Sequence, residues 1–131
     1  MHGEDNCRCP LDGWHALGLM SGTSLDGLDV ASVRFFQDQK TRAWSFALKS
    51  FSTLAYPDVL RDQLWRAMDA SAEDLMRLDH DWAHWAGQEV LRWINDSEIS
   101  VPHVVGLHGH TIFHRPSEGW TCQIGHGAVL H

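Results

Sequence analysis

Residues 18–35, GLMSGTSLDGLDVASVRF, crowd small, hydroxyl and acidic side chains between two apolar runs. A tight hairpin needs only two turn residues, yet Ser21, Gly22, Thr23, Ser24, Asp26, Gly27 and Asp29 all fall here. Glycines at 22 and 27 let the backbone turn sharply and approach a ligand closely. Main-chain N–H groups of Gly22 to Ser24 can converge as an anion nest, and the hydroxyls of Thr23 and Ser24 suit phosphate oxygens. A carboxylate aimed at the same place repels phosphate. Asp26 therefore fits that picture with a Mg²⁺ ion held through water between the two. The same residues also suit an Asx-type turn in which Asp26 bonds its own backbone, and composition leaves both readings open.

A second chemical cluster is GLHGHTIFHRP at 106–116. His108 and His110 stand two apart, which puts both on one face of a strand and offers an alternative reading as a metal- or ligand-binding domain without catalysis. His80 and His84, four apart on a helix, read as a solvated face rather than a ligand pair. Cys7-x-Cys9 lacks the second spaced pair that structural zinc sites use.

Strands must carry the first loop. WHALGLM (14–20) and LDVASVRFF (28–36) flank it, and AWSFALKSFS (43–52) alternates with Trp44, Phe46 and Leu48 on one face. With the short polar turn QDQKTR these make an antiparallel meander. The period then becomes helical: Pro57 opens a helix carrying Leu60, Leu64, Trp65 and Met68. Ser71 to Asp74 resembles a capping box for a second helix running to about Asn95. Its apolar face is Leu75, Leu78, Trp82, Ala86, Val90 and Trp93, with Asp79, His80, His84, Gln88 and Arg92 largely on the other side. VPHVVGLHG (101–109) reads as a buried strand leading into HGHTIFHRP. WTCQIG is a last strand, and AVLH, ending at His131, looks like the opening of a helix. The β-β-β-α-(α)-β order predicts one α/β layer domain with a mixed sheet whose first three strands are antiparallel.

At 131 residues the chain has the size of one domain, and 44% hydrophobic with 21% charged residues is ordinary for a globular protein. A formal net charge of −7, with Lys40–Arg42 as the densest basic spot, argues against nucleic acid or an anionic membrane as partner. No run is long enough to span a bilayer. Three cysteines form no disulfide framework, and the N-terminus lacks the basic start and apolar stretch of a signal peptide. The expectation is a cytoplasmic protein with a disordered leader at 1–13 and one domain at 14–131.

GLMSGTSLDGLD resembles the opening motif of the anhydro-N-acetylmuramic acid kinases, a strand followed by G-x-M-S-G-T-S-x-D-G-x-D. GLHGHTIFHRP followed by QIG is similar to the same family's H-G-Q-T-x-x-H-x-P and QIG segments. The resemblance covers roughly residues 16–130 and implies a ribonuclease-H-like domain of the acetate/sugar kinase, Hsp70 and actin type. It implies ATP and Mg²⁺ as cofactors. It also implies hydrolytic opening of 1,6-anhydro-N-acetylmuramic acid with phosphorylation of O6, giving N-acetylmuramic acid 6-phosphate in peptidoglycan recycling.

Carried over residue by residue, Gly22, Thr23, Ser24, Leu25, Asp26, Gly27, Leu28 and Asp29 become the ATP-phosphate segment. His108, Gly109, Thr111 and His114 become the sugar side. His110 stands where the family usually has Gln. The family's general base is an aspartate in a D-F-R-x-x-D segment past QIG. The resemblance places that segment beyond His131, so it assigns no catalytic residue within these 131. Adenine contacts come from a later domain. The expectation is therefore an N-terminal, incomplete kinase domain with little turnover alone, from a family expected to form homodimers. Trp82, Trp85 and Trp93, among seven tryptophans, either face a partner domain or subunit or fill the domain's own core.

Overall fold

The computed structural model describes residues 10–129. The expected leader falls mostly outside that range, as does the Cys7-x-Cys9 pair. His131, past which the general base is expected, also lies outside the described residues, so the structure does not bear on that expectation. Of the helix expected at AVLH, the described part is a short 3₁₀ turn, Gly127–Val129. Residues 10–13 form a turn in which the Gly13 N–H donates to the Pro10 carbonyl at 2.8 Å.

Alternating apolar residues with short polar turns give three strands: β1 (Trp14–Ser21), β2 (Gly27–Gln37) and β3 (Trp44–Ala55). Helices α1 (Asp58–Arg66) and α2 (Ala72–Asp96) follow, then β4 (Val104–Arg115) and β5 (Trp120–Ile124). One five-stranded sheet results, in the order β3-β2-β1-β4-β5. β1–β2 and β2–β3 are antiparallel, β4 lies parallel to β1, and β5 turns back antiparallel on β4. This is the mixed α/β sheet that the sequence predicts, with the antiparallel meander first.

The caps explain where the helices begin. Pro57 is the N-cap of α1, one position before the first helical residue. Ser71 caps α2: its hydroxyl oxygen accepts the Asp74 N–H at 3.1 Å and its O–H donates to the Asp74 carboxylate at 2.7 Å. The α2 face that meets the sheet combines Leu78, Trp82 and Val90 with the small residues Ala83, Ala86 and Gly87, all buried. These pack on Leu17, Leu19, Leu28 and Val30 of the central strands, while α1 adds Leu60 and Leu64. Fully burying each such aliphatic side chain contributes about 1.5–3 kcal/mol, which holds the helix layer to one side of the sheet.

Several expectations are corrected. Asp79 does not sit among the solvated residues of α2: its carboxylate accepts the Gly125 N–H at 2.6 Å, tying the helix to the chain after β5. The strand predicted at 101–109 begins at Val104 and continues through HGHTIFHR, because the parallel pairing with β1 and then the antiparallel pairing with β5 extend it. Its start is open rather than buried, with Val104 at 55% exposure.

The tryptophan alternatives also separate. Trp82 and Trp93 are buried and Trp85 packs against the core, while Trp44, Trp65 and Trp120 are the exposed ones. Trp44, Phe46 and Leu48 do share a face, but it is the side of the sheet that α2 leaves uncovered. A bulge between Ser32 and Val33 in the β2–β3 register puts Ser50 and Ser52 on the helix side instead. There the Trp93 indole N–H donates to the Ser52 hydroxyl at 3.0 Å.

Candidate functional site

The first loop joins the end of β1, at Ser21, to the start of β2, at Gly27. The Leu25 N–H reaches back to the Gly22 carbonyl at 3.5 Å, closing the bend. Leu25 has φ of 59°, a left-handed conformation unusual for a branched apolar residue, and its side chain is buried in the core. That burial anchors the loop from beneath. The two glycines differ in role. A Cβ on Gly27 would sit 2.3 Å from the Leu54 carbonyl oxygen, so this glycine serves the packing of β2 on β3 rather than the approach of a ligand. A Cβ on Gly22 would meet only the Ser24 hydroxyl, at 3.6 Å, and the space beyond it is open.

Asp26 realises the local-turn reading. Its carboxylate accepts the Ser24 hydroxyl and is further supported by its own backbone N–H and that of Gly27, which hold it ionised below the usual carboxylate range. It is exposed, and its carbonyl accepts the Tyr56 N–H at 3.3 Å. Asp29 accepts the Thr53 hydroxyl at 2.6 Å across the β2–β3 pair. Leu28 is wholly buried and offers no side chain to a ligand, whereas Leu25, though buried, borders the cavity beside the loop.

Beside the loop lies a cavity of about 420 Å³. Thr23 and Leu25 form one wall, and His110, Thr111, His114 and Arg115 of β4 form another. Leu64 and Trp65 of α1, with Met68 just after it, close a third side. No carboxylate is among the described residues that line it.

The bulge at Gly109 decides which β4 side chains reach this space. Along β1–β4, Leu19 pairs with Leu107 but Ser21 pairs with His110, one residue too many on β4. Gly109 takes φ of 79° and passes close to Ile124 of β5. The extra residue cancels the alternation on which a shared face for His108 and His110 rests. His110 is buried at 4% exposure, whereas His108 is exposed and bonds only its neighbour's carbonyl, at 3.3 Å. Of the four sugar-side candidates, Thr111 and His114 line the cavity and His108 and Gly109 do not.

Beneath the loop a buried polar chain links β1, α2 and β4 through Tyr56 of the β3–α1 connection. Ser21 Oγ lies 2.5 Å from the Tyr56 hydroxyl and 2.7 Å from His110 Nδ1. The Trp82 indole N–H donates to the same Tyr56 hydroxyl at 2.9 Å. Burial lowers the His110 imidazole below its ordinary value. Burial likewise raises Tyr56, against the opposing hydrogen bonds from Ser21 and Trp82 and helped by the charges of Asp26 and Asp29. Tyr56, Trp65, Met68 and Arg115 were not singled out as site residues from sequence. Of these, Arg115 alone stands inside a chemical motif, GLHGHTIFHRP, which could have flagged it.

Comparison with known proteins bears on this geometry. The family model described as anhydro-N-acetylmuramic acid kinase matches residues 14–131. The chain belongs to this family. A relative named anhydro-N-acetylmuramic acid kinase from Acaryochloris marina is 38% identical over 122 residues, covering 88% of this chain and 31% of the relative. Relatives of the same name from Zymomonas mobilis and Pseudomonas syringae are 36% and 32% identical, over 34% and 31% of their own lengths. This chain thus spans about a third of the anhydro-N-acetylmuramic acid kinases it matches. Among the described residues no group of three His, Cys, Asp or Glu could hold a metal ion, and no helix is long and apolar enough to cross a membrane.

Proposed function

We propose that the chain is the nucleotide-phosphate and acceptor-binding part of an ATP-dependent sugar kinase. In this reading the whole protein hydrolytically opens 1,6-anhydro-N-acetylmuramic acid and phosphorylates O6, in cytoplasmic recycling of peptidoglycan. The observation that carries it is a shared cavity: Thr23 of the first loop and Thr111 and His114 of the second motif line the same space. Phosphoryl transfer depends on placing donor and acceptor together and on neutralising charge, and a wall of each kind is what this cavity supplies.

Gly22 and Thr23 meet phosphate oxygens through main-chain N–H groups and a hydroxyl, with Ser24 and Asp26 behind them. Open space at Gly22 is where a side chain would otherwise obstruct that approach. A Mg²⁺ ion, when bound, neutralises phosphate charge. The single ionised, exposed carboxylate of Asp26 suits an ion that keeps its water and takes most other ligands from phosphate. Thr111 and His114 orient the sugar, and Arg115 adds a positive charge at the same wall.

A base that activates water contributes on the order of 10²–10⁴-fold. In this reading that base is the aspartate that the resemblance places past QIG, and this chain alone turns over little. Titration of the ¹⁵N-labelled chain with Mg²⁺-ATP tests the reading. The amides of Gly22, Thr23 and Ser24 are expected to shift and exchange more slowly; amides unmoved at millimolar nucleotide overturn it.

A further inference from the structure

The proton order along the buried chain from Trp82 to His110 is fixed by its first member. An indole N–H donates and never accepts, so the Tyr56 oxygen is the acceptor of that bond. The phenol must then spend its own proton elsewhere, and Ser21 Oγ at 2.5 Å is its other partner. Ser21, having accepted, donates its proton to the remaining neighbour, His110 Nδ1 at 2.7 Å. Each proton then has an acceptor. Run the other way, with His110 Nδ1–H donating to Ser21 and Ser21 to Tyr56, the phenol proton would be left buried without one. Buried donors of that kind are costly and rare.

We propose that His110 is a positioning residue for the 22–26 loop: a neutral imidazole, protonated on Nε2, whose Nδ1 accepts the Ser21 hydroxyl proton. Ser21 is the last residue of β1, so fixing its side chain fixes the point from which the loop departs. Tyr56 reinforces this from the far side, since its backbone N–H also holds the Asp26 carbonyl. The other ring nitrogen bonds no protein group among the described residues, yet no fully buried side-chain nitrogen or oxygen among them lacks a partner. Nε2–H is therefore accessible, and the cavity is the space that His110 lines. The ring thus offers a donor to an oxygen of whatever occupies that cavity. This last consequence rests on the proposed function; the proton order and the hold on the loop do not.

Glutamine has the same two faces, a carbonyl acceptor and an N–H donor, but it does not titrate. That supplies the test. The ionisable and charged groups around His110 are Tyr56 beyond Ser21, Asp26 and Asp29 beyond Tyr56, His114 and Arg115 along β4, and Asp79 of α2 at Gly125. No carboxylate pairs with the His110 ring among the described residues, so acid breaks the chain by charging the ring and placing a proton on Nδ1.

Long-range ¹H–¹⁵N spectra of the nucleotide-free chain are expected to show His110 Nδ1 as unprotonated and Nε2 as protonated at pH 7.5. Amide exchange at Leu25 and Tyr56, whose N–H groups donate to the Gly22 and Asp26 carbonyls, should quicken about tenfold in His110→Ala, the equivalent of one hydrogen bond, and stay near wild type in His110→Gln. In wild type the same protection should fade as pH falls below about 6.5, the ordinary histidine value, and persist in His110→Gln. A protonated Nδ1 at pH 7.5 overturns the proposal even if every variant fails to fold. His110→Gln behaving as His110→Ala also overturns it. Mg²⁺-ATP is absent from all these measurements, so their failure is distinct from failure of the kinase reading.

Discussion

The backbone of Gly109 passes so close to Ile124 that a Cβ on residue 109 would lie 2.2 Å from the Ile124 carbonyl oxygen. The bulge exists because of that approach, and through it His110 rather than His108 turns inward. Gly119 offers an internal comparison, since its φ of 78° nearly equals the 79° of Gly109 but nothing lies within 4 Å of its virtual Cβ. Gly119→Ala should therefore cost about 1 kcal/mol, from backbone strain alone. Gly109→Ala should cost roughly 2–5 kcal/mol, strain and overpacking together. Urea denaturation of both variants checks this; equal costs would mean that β5 yields freely and the bulge is not held by it.

Tyr56→Phe should keep the ring's packing against Trp85, whose centroid is 4.8 Å away, and lose only the hydroxyl. The Trp82 N–H is then buried without an acceptor and Ser21 without a donor. The expected cost is about 1–3 kcal/mol. Because Ser21 and Tyr56 act on one another, Ser21→Ala combined with Tyr56→Phe should be non-additive by roughly 0.5–3 kcal/mol. A double-mutant cycle from urea midpoints measures it, and strict additivity would deny the coupling.

Local periodicity revealed much of this molecule and long-range pairing supplied the rest. The meander, the Ser71 cap and the inward face of α2 follow from alternation and helical spacing, which any window of the sequence displays. His110 is different. Its burial depends on one extra residue in β4 opposite β1, and only the pairing with Ile124 of β5 makes that bulge necessary. Tyr56 carries no motif, and it becomes part of the site because β3 ends beside the first loop. Gly27 belonged to a recognisable loop motif, but its contact with Leu54 is a property of the third strand. The membership of the cavity was visible in two motifs; the aromatic wall from α1 looked like ordinary helix core.

Stability should fall with acid in two separate windows. His15 is buried, with Nε2 at 2.8 Å from the Ser32 hydroxyl, and burial followed by the charge of Arg34 lowers its pKa despite an opposing backbone bond to Val101. His110 is lowered by burial. The unfolded chain therefore takes up these protons first, so their stabilising contribution is whole above about pH 6.5 and declines as pH falls through the folded values. Asp26 and Asp38 are lowered as well, by the Ser24 hydroxyl and by the Thr41 N–H respectively. Their contribution is whole above about 3.8, the ordinary value, and is lost as pH falls further. Urea midpoints across pH 3–8 should show both declines, and His15→Gln with His110→Gln should flatten only the upper one. An upper decline unchanged in that double variant would assign it to other groups.

Asp79 and Gly125 are 46 residues apart, and the 2.6 Å bond between them is charge-assisted. It fixes the chain immediately after β5, where Gly125 has φ of 134° and a Cβ would meet Trp82 at 3.0 Å. That position matters to the site because β5 in turn sets the Gly109 bulge. Asp79→Ala should destabilise the chain by about 1.5–3 kcal/mol, the range for a hydrogen bond to a charged group. The Gly125 amide should lose protection first, followed by the amides of β5, while the β1–β2–β3 meander stays as slow as in wild type. Asp79→Asn retains a carbonyl acceptor and should recover at least half of the loss. Hydrogen exchange on the two variants decides the matter, and a loss of protection spread evenly over all five strands would show that Asp79 supports the whole sheet rather than this corner of it.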